Sequence, residues 1–352
     1  MTILERARQL LTKPEQLSYV LIVLLFVLMG WLHLSSLLLA ALFSYLALQG
    51  LQLGRKRNRW LSVILFVVLL SAVVYTSAIF GQHAFHALPH IADKAIPSVL
   101  HWARDNNIEL PFADYDSLRE LALETIRGQL RYIGSFARYA GATANLGLFL
   151  IAGCVVAIGL FLNPRFELSR EPDASANNLY TVCCAHLAER FRIFYRSFAT
   201  VMGAQILISA INTAFTGIFV TVVQLPYAFL IVGVTFLCGL LPVIGNLISN
   251  TIIVGIGFTV SPKMAMTALI FLVVIHKLEY FLNSTIIGSR IRNPLWLTLI
   301  GLIIGERLLG IPGIILAPVF LNYIKRETSR FDLPVDPPPA LNPPPESKPV
   351  QS

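Results

Sequence analysis

The sequence predicts an all-α fold: a polytopic helical membrane protein of about eight transmembrane helices, with broken or re-entrant segments in its C-terminal half. From Ser197 to Pro262 the chain runs 66 residues without an Asp, Glu, Lys or Arg. A helix rises about 1.5 Å per residue and a bilayer core is about 30 Å thick, so this run allows about three crossings. Only 13% of all residues are charged, against about 25% in soluble domains. Pro226 and Pro242 interrupt the run, which predicts broken helices rather than three uniform spans.

The N-terminal spans follow from uncharged windows of about 20 residues. After a cytoplasmic N-terminus at 1–16, the uncharged stretch 17–51 suits a pair of short spans turning near 30–36, or one long tilted helix. We favour the pair. With a further span at 60–80, the N-terminal transmembrane region covers 17–80. Because the apolar stretch continues far beyond a short signal-peptide core, we expect a retained anchor rather than a cleaved leader.

The middle of the chain is predicted to alternate between soluble and spanning segments. Residues 81–141 are expected to be extracytoplasmic and to hold an amphipathic helix, because apolar residues recur at three-and-four spacing from Leu118 to Phe136. A span at 142–162 follows, and then a cytoplasmic loop of mixed charge at 163–197.

The C-terminal half holds the predicted transport core, at 198–325. Its apolar windows, separated by Pro, Gly or charged residues, give spans at 198–223, 226–248, 250–275 and 294–324. Lys277, Arg290 and Arg292 fit poorly with a simple crossing, so the sequence leaves open whether 250–293 spans or re-enters. Residues 326–352 are predicted to be a Pro-rich disordered tail, since eight of the last 19 residues are proline.

Basic residues indicate the orientation of the spans. They cluster before the first span, between the second and third, after the fourth and after the last, at 6–13, 55–59, 165–170 and 325–326. Cytoplasmic loops carry such an excess, so both termini are predicted to be cytoplasmic. The net charge of +8 is thereby explained by topology. No basic stripe interleaved with aromatic residues is present, so a nucleic-acid partner is not expected.

Motifs of soluble catalysis are missing from the sequence. There is no HExxH, GxSxG, Walker A or GxGxxG motif, so we expect neither an enzyme nor a nucleotide cofactor. His83, His86 and His90 fall on one helical face and could in principle bind zinc. Because Pro89 is expected to interrupt that helix and no carboxylate completes the set, no metal site is predicted.

The first candidate transport feature is a break inside the uncharged run. Pro242 removes an amide donor and Gly245 lets the backbone turn, and freed backbone groups at membrane depth are tolerated only inside protein or around a wet cavity. Asn246 and Asn250, four residues apart, project from one face beside this break. We expect the break to act as a hinge and the two amides to contact a solute or ion. The alternative is a kinked helix whose Asn side chains bond to neighbouring helices.

Charged residues beyond the run supply the second feature. Glu279 lies three residues after His276 and four before Asn283, which gives one polar helical stripe. A carboxylate in an apolar span is costly and usually functional. Glu306 and Arg307, in the middle of an apolar stretch, must face the bundle interior, pair with other groups or lie at the mouth of a re-entrant turn. A second Pro/Gly break supplies four further hinge candidates: Gly310, Pro312, Gly313 and Pro318.

These motifs resemble those of the autoinducer-2 exporter (AI-2E) family of PerM/permease-like bacterial transporters. The family's P-x-I/V-G element stands here as 242–245, and its Q-x-x-E-like segment as 276–279, with His276 in place of the Gln. The terminal G-x-x-G-x-x-L-A-x-P element is present at 310–318 in a variant spacing. The resemblance covers about 201–325 by motif, and the first half of the chain by layout.

The resemblance implies an inner-membrane secondary transporter or permease that moves a small polar solute or signal molecule. It also implies a homo-oligomer in the bacterial cytoplasmic membrane, with membrane lipid, a solute and a proton or sodium ion as partners. Glu279 would be the coupling carboxylate. Two alternatives stay open: a sodium(lithium)/proton antiporter on the same fold, and a non-transporting membrane scaffold that uses the Pro-rich tail.

Overall fold

A computed structural model of the chain describes residues 14–52, 58–108, 140–163, 179–242, 244–286 and 294–330. Within these ranges the chain forms ten helices and no strand, which confirms the predicted all-α class. In chain order they are α1 Pro14–Trp31, α2 Ser35–Gly50, α3 Arg59–Asp105, α4 Ala140–Leu162, α5 Leu179–Val222, α6 Ala228–Gly239, α7 Ile244–Val260, α8 Pro262–Ile286, α9 Leu295–Leu309 and α10 Ile311–Thr328.

The first two helices form the pair that the uncharged N-terminal stretch predicts. The chain turns at 32–34, where His33 adopts a positive φ of 54°. Helix α2 then packs closely against α4 at Gly153, where an added Cβ would lie 2.7 Å from the carbonyl oxygen of Leu37. A side chain of any size at Gly153 would therefore push the two helices apart.

Two helices are much longer than the apolar windows that predicted them. Helix α3 has 47 residues and continues past the predicted span 60–80 into the segment predicted to be extracytoplasmic. Pro89 lies inside this helix without ending it, so the expected interruption is wrong. Helix α5 has 44 residues and begins at Leu179, inside the segment predicted as a cytoplasmic loop. The amphipathic helix expected from Leu118 to Phe136 falls outside the described residues.

The C-terminal windows divide differently from the prediction. The window 226–248 is two helices, α6 and the start of α7, and the window 250–275 joins the rest of α7 to α8 through a turn at Ser261. The last window, 294–324, is a hairpin of α9 and α10 rather than one span. Helix α10 runs through Thr328, so the first three residues of the predicted tail are helical; residues 331–352 lie outside the described ranges.

Helix α5 connects two separate hydrophobic cores. Near its N-terminal half, Phe194 and Phe198 are buried against α1, α2 and α10. Toward its C-terminal end, Val220 is buried against α3, α6, α7 and α8. A helix of this length extends about 66 Å, so one rigid element passes through both cores.

The outer surface of the bundle is apolar. Trp31, Val222 and Leu247 are each more than 70% exposed, as are many other large apolar side chains to lesser degrees. Three of the described helices are long and apolar enough to cross a bilayer, namely α1, α3 and α5, and shorter apolar helices accompany them. Apolar surface of this extent is stable against lipid and not against water. The chain is therefore a multi-pass membrane protein, while the number of crossings stays a prediction.

Candidate functional site

A break between α6 and α7 organises the candidate site. Helix α6 ends at Gly239 and α7 begins at Ile244, so Pro242 lies in the short connection, where the sequence predicted it. The last carbonyls of α6 have no partner within their own helix. Side chains of α5 supply two donors: the Gln205 amide donates to the carbonyl of Gly239 at 2.6 Å, and the Ser209 hydroxyl donates to that of Phe236 at 2.8 Å.

Close backbone approach makes glycine necessary on both sides of this break. A Cβ added to Gly245 would lie 1.7 Å from the carbonyl oxygen of Cys238, and a Cβ added to Gly239 would lie 2.4 Å from the Ser209 hydroxyl oxygen. Contacts under 3.0 Å do not occur in practice, so a larger residue at Gly245 would force α6 and α7 apart, and one at Gly239 would force α6 and α5 apart. The last turn of α6 is thus tightly packed against both neighbouring helices, and two of its carbonyls are bonded to α5.

The carboxylate of Glu279 lies against the first turn of α7. The side-chain amide of Asn246 donates to both carboxylate oxygens, at 3.0 Å each, and the amide of Asn212 on α5 donates to one of them at 3.3 Å. Helix N-termini carry a partial positive charge, which favours a carboxylate at this position. Three helices, α5, α7 and α8, therefore converge on one partly buried acid.

The partners of Glu279 are neutral. Within the described part of the chain no Lys, Arg or His lies within ion-pair distance of its carboxylate, and the nearby Lys277 is exposed. Asn212 is 8% exposed, and its Oδ1 oxygen has no hydrogen-bond partner among the described atoms. The amide nitrogen of Asn212 faces the carboxylate, and rotation of this amide would turn its oxygen toward Glu279, where the two residues could bind a small cation.

A second polar pair lies one helical turn away. The Nδ1 atom of His276 bonds to the carbonyl of Leu272 at 2.8 Å, so Nδ1 carries the proton in this bond. Its Nε2 atom lies 3.4 Å from the amide nitrogen of Asn250, which can donate to it. The two pairs, Asn246 with Glu279 and Asn250 with His276, extend the polar stripe along the contact between α7 and α8.

Other predicted residues lie elsewhere or cannot be placed. Glu306 and Arg307 are on α9, with side chains 53% and 83% exposed, and contact each other at 3.7 Å. Neither has a contact with Glu279 among the described residues. Of the three arrangements expected for these two residues, the structure shows pairing, because the two exposed side chains contact each other. Asn283 lies on α8, and its side chain is outside the described set.

The second predicted break is confined to one residue. Gly310 has φ +66° and separates α9 from α10, whereas Pro312 lies in the first turn of α10 and Pro318 lies inside it without ending it. Gly313 allows the hairpin to close, since a Cβ there would lie 1.8 Å from the carbonyl oxygen of Gly305. Gly310 is therefore the one point of the element 310–318 at which the helix ends.

Sequence reasoning missed a buried ion pair at the other end of α5. Arg190 is 3% exposed, and one guanidinium nitrogen contacts Glu327 of α10 while another lies 3.2 Å from Glu15 of α1. The Tyr19 hydroxyl donates to the Glu327 carboxylate at 2.8 Å, and the guanidinium lies 4.0 Å from the centre of the Tyr19 ring. Beyond the end of α10, a hydrogen bond to Glu189 raises the pKa of Arg330. Nothing in the sequence pairs residues so far apart.

Broken helices, a partly buried acid at the break and a lipid-compatible surface together define a class, the multi-pass helical membrane transporters. The family model described as "AI-2E family transporter" matches residues 17–329, which is nearly the whole described chain. The chain belongs to this family, as the motifs at 242–245, 276–279 and 310–318 predicted.

A curated relative points in the same direction. The chain is similar to the protein named "Putative transport protein YdbI" from Bacillus subtilis (strain 168), with 30% identity over 186 residues. This match covers 52% of the chain and 53% of the relative, so the chain spans about half the length of the relative that it matches.

Proposed function

We propose that this chain is a secondary transporter of the bacterial inner membrane that moves a small polar solute or signal molecule, with Glu279 as its coupling carboxylate. Family membership supports the transporter class. The observation that carries the site is that the partners of Glu279 among the described residues are the neutral amides of Asn212 and Asn246. Because no resident cation neutralises this carboxylate in the described structure, a proton or cation can do so during transport.

The neighbouring groups suit a coupled pathway. Asn246 bonds to the carboxylate and sits beside the break at Pro242, so movement of α7 relative to α6 would change the surroundings of the acid. Asn250 and His276 would offer the solute donors and acceptors one turn further along. In this proposal the break acts as the hinge and Gly310 acts as a second one. The basic loops support cytoplasmic termini.

The second candidate is a sodium(lithium)/proton antiporter on the same fold. One observation favours it: the Asn212 amide, which bonds to Glu279 through its nitrogen, has a buried Oδ1 oxygen with no partner among the described atoms, and hard cations take oxygen ligands of this kind. In vesicles the two candidates separate clearly. An antiporter changes the internal pH when sodium or lithium is added, and a solute transporter changes it only when an organic solute is added.

The test is proton-coupled transport by the full chain reconstituted in vesicles. Glu279→Gln keeps the shape of the side chain and removes its charge, so we expect coupled transport to be abolished while the protein stays folded. Glu306→Gln is the matched control, because Glu306 is exposed and lies away from the cluster. Proton-dependent transport at the normal rate by the Glu279→Gln variant would disprove the assignment.

A further inference from the structure

Four arginines surround a cavity between α5 and α10. The cavity lies near the N-terminal end of α5, away from Asn212, where this helix contacts Glu279. The cavity has a volume of about 320 Å³ and is lined by Glu189, Arg192, Ile193, Arg196, Arg326 and Arg330. Arg192 and Arg196 are exposed, so their guanidinium groups are accessible from outside the bundle. The lining carries four positive charges and one negative charge.

Only part of this charge is balanced within the chain. Arg330 is paired with Glu189 at 2.5 Å, which uses the one acid of the lining. Arg326 donates to the hydroxyl oxygen of Thr200 at 3.3 Å, which positions its guanidinium group without neutralising it. Three of the four arginines therefore remain without a carboxylate partner among the described residues.

Arg192 and Arg196 present the clearest imbalance. They lie one turn apart on the same face of α5, where like charges repel. No described carboxylate lies within ion-pair distance of either. An anion between these two side chains and Arg326 would remove the repulsion, so the arrangement is suited to an anionic ligand rather than to internal packing.

The position of the arginines relative to the apolar surface indicates which anion this cavity would bind. Arg196 is the last charged residue before the 66-residue uncharged run that begins at Ser197. Lys325 and Arg326 are the first charged residues after the apolar part of α10. Both helices thus carry their arginines where the lipid-compatible surface ends, which is the depth of phospholipid headgroups.

We propose that α5 and α10 hold the phosphate group of an anionic phospholipid between Arg192, Arg196 and Arg326. Guanidinium groups present planar pairs of donors that match phosphate oxygens, which distinguishes them from lysine at such a site. Because α10 also carries Glu327 and α5 carries Arg190, a lipid bound here would bridge the same two helices that the buried ion pair joins. The site is independent of the solute pathway.

The experiment is a lipid titration of the full chain in neutral detergent, followed by thermal unfolding. Phosphatidylglycerol, phosphatidylcholine and inorganic phosphate are added separately. Phosphatidylglycerol is expected to raise the unfolding temperature of the wild type, and phosphatidylcholine is not. The variant Arg192→Gln/Arg196→Gln should need at least about tenfold more phosphatidylglycerol for the same effect, since each surface cation contributes about a factor of several to anionic-lipid affinity.

The matched control removes two exposed positive charges elsewhere, in Lys94→Gln/Arg104→Gln on α3, and should respond like the wild type. The variant Arg192→Lys/Arg196→Lys keeps the charge and loses the paired donors, so it should respond at intermediate concentrations even if the Gln variant folds poorly. If inorganic phosphate raises the unfolding temperature of the wild type but not of Arg192→Gln/Arg196→Gln, the arginines form an anion site whose occupant is a soluble ion. Equal responses of both double-Gln variants to phosphatidylglycerol, or no response of the wild type, would overturn the proposal.

Discussion

Removing one partner of the buried pair between Arg190 and Glu327 should destabilise the protein strongly. Glu327→Leu deletes the carboxylate that contacts the guanidinium group and accepts the Tyr19 hydroxyl bond. Arg190 is 3% exposed, so its charge would stay buried with a single remaining acid, Glu15, at 3.2 Å. The cost therefore comes from an uncompensated cation rather than from lost packing.

The expected loss is about 3 kcal/mol of unfolding free energy, at the low end of the 3–5 kcal/mol that broken buried pairs cost, because Glu15 still offers partial compensation. Replacing both partners, in Arg190→Met/Glu327→Leu, removes the buried charge as well. That double variant should lose only about 1 kcal/mol, the cost of leaving the Tyr19 hydroxyl without its acceptor. The double variant is thus predicted to be more stable than the single one.

The assay is equilibrium unfolding of the purified chain in mixed micelles with increasing sodium dodecyl sulfate, followed by helical circular dichroism. The control is the exposed side of this network: Arg330→Gln should cost less than about 1 kcal/mol, because solvent screens its contact with Glu189 and its contact with Glu327 is long, at 3.8 Å. A Glu327→Leu variant within about 1 kcal/mol of the wild type would refute the reasoning, since exposed pairs already reach that value. So would a double variant that is less stable than Glu327→Leu.

Two further predictions concern the break between α6 and α7. Gly245→Ala should lower transport and thermal stability, because its Cβ would lie 1.7 Å from the Cys238 carbonyl oxygen. The control Gly255→Ala should change neither, because nothing lies within 4 Å of its Cβ. Equal behaviour of the two variants in both assays would contradict this prediction. Gln205→Leu leaves the Gly239 carbonyl without its donor and should cost about 1–3 kcal/mol in the same unfolding assay, and an unchanged stability would show that the bond is dispensable.

The two polar faces of the site could be predicted from the sequence because each pattern is local. Asn246 and Asn250 share one face of a helix, as do His276 and Glu279. That these two faces meet was not predicted, because the turn at Ser261 lies inside the window 250–275, which hydropathy alone gives as one span.

Contributions from other helices could not be predicted in this way. Asn212 was visible as a polar residue in the apolar run, but its contact with Glu279 depends on how α5 packs, which no local pattern records. The lengths of α3 and α5 were also missed, because hydropathy reports which residues suit lipid and not where a helix ends. Glu306 shares its residue type with Glu279, and only the packing of α9 shows that it is exposed.

The chain holds two carboxylates with opposite surroundings, and the contrast indicates what each can do. Glu327 is bound to a buried guanidinium group that balances its charge, so its removal should destabilise the protein strongly. Glu279 is bound by two neutral amides, so its charge has no fixed counter-ion in the described structure. Glutamine keeps one oxygen that can accept from Asn246, and its NH₂ group finds an acceptor when the Asn212 amide rotates to present its buried Oδ1. The Glu279→Gln variant is therefore expected to lose transport and keep its stability. The Glu327→Leu variant is expected to lose stability first. Measuring the transport rate and the unfolding free energy of both variants tests whether the two acids have separate roles.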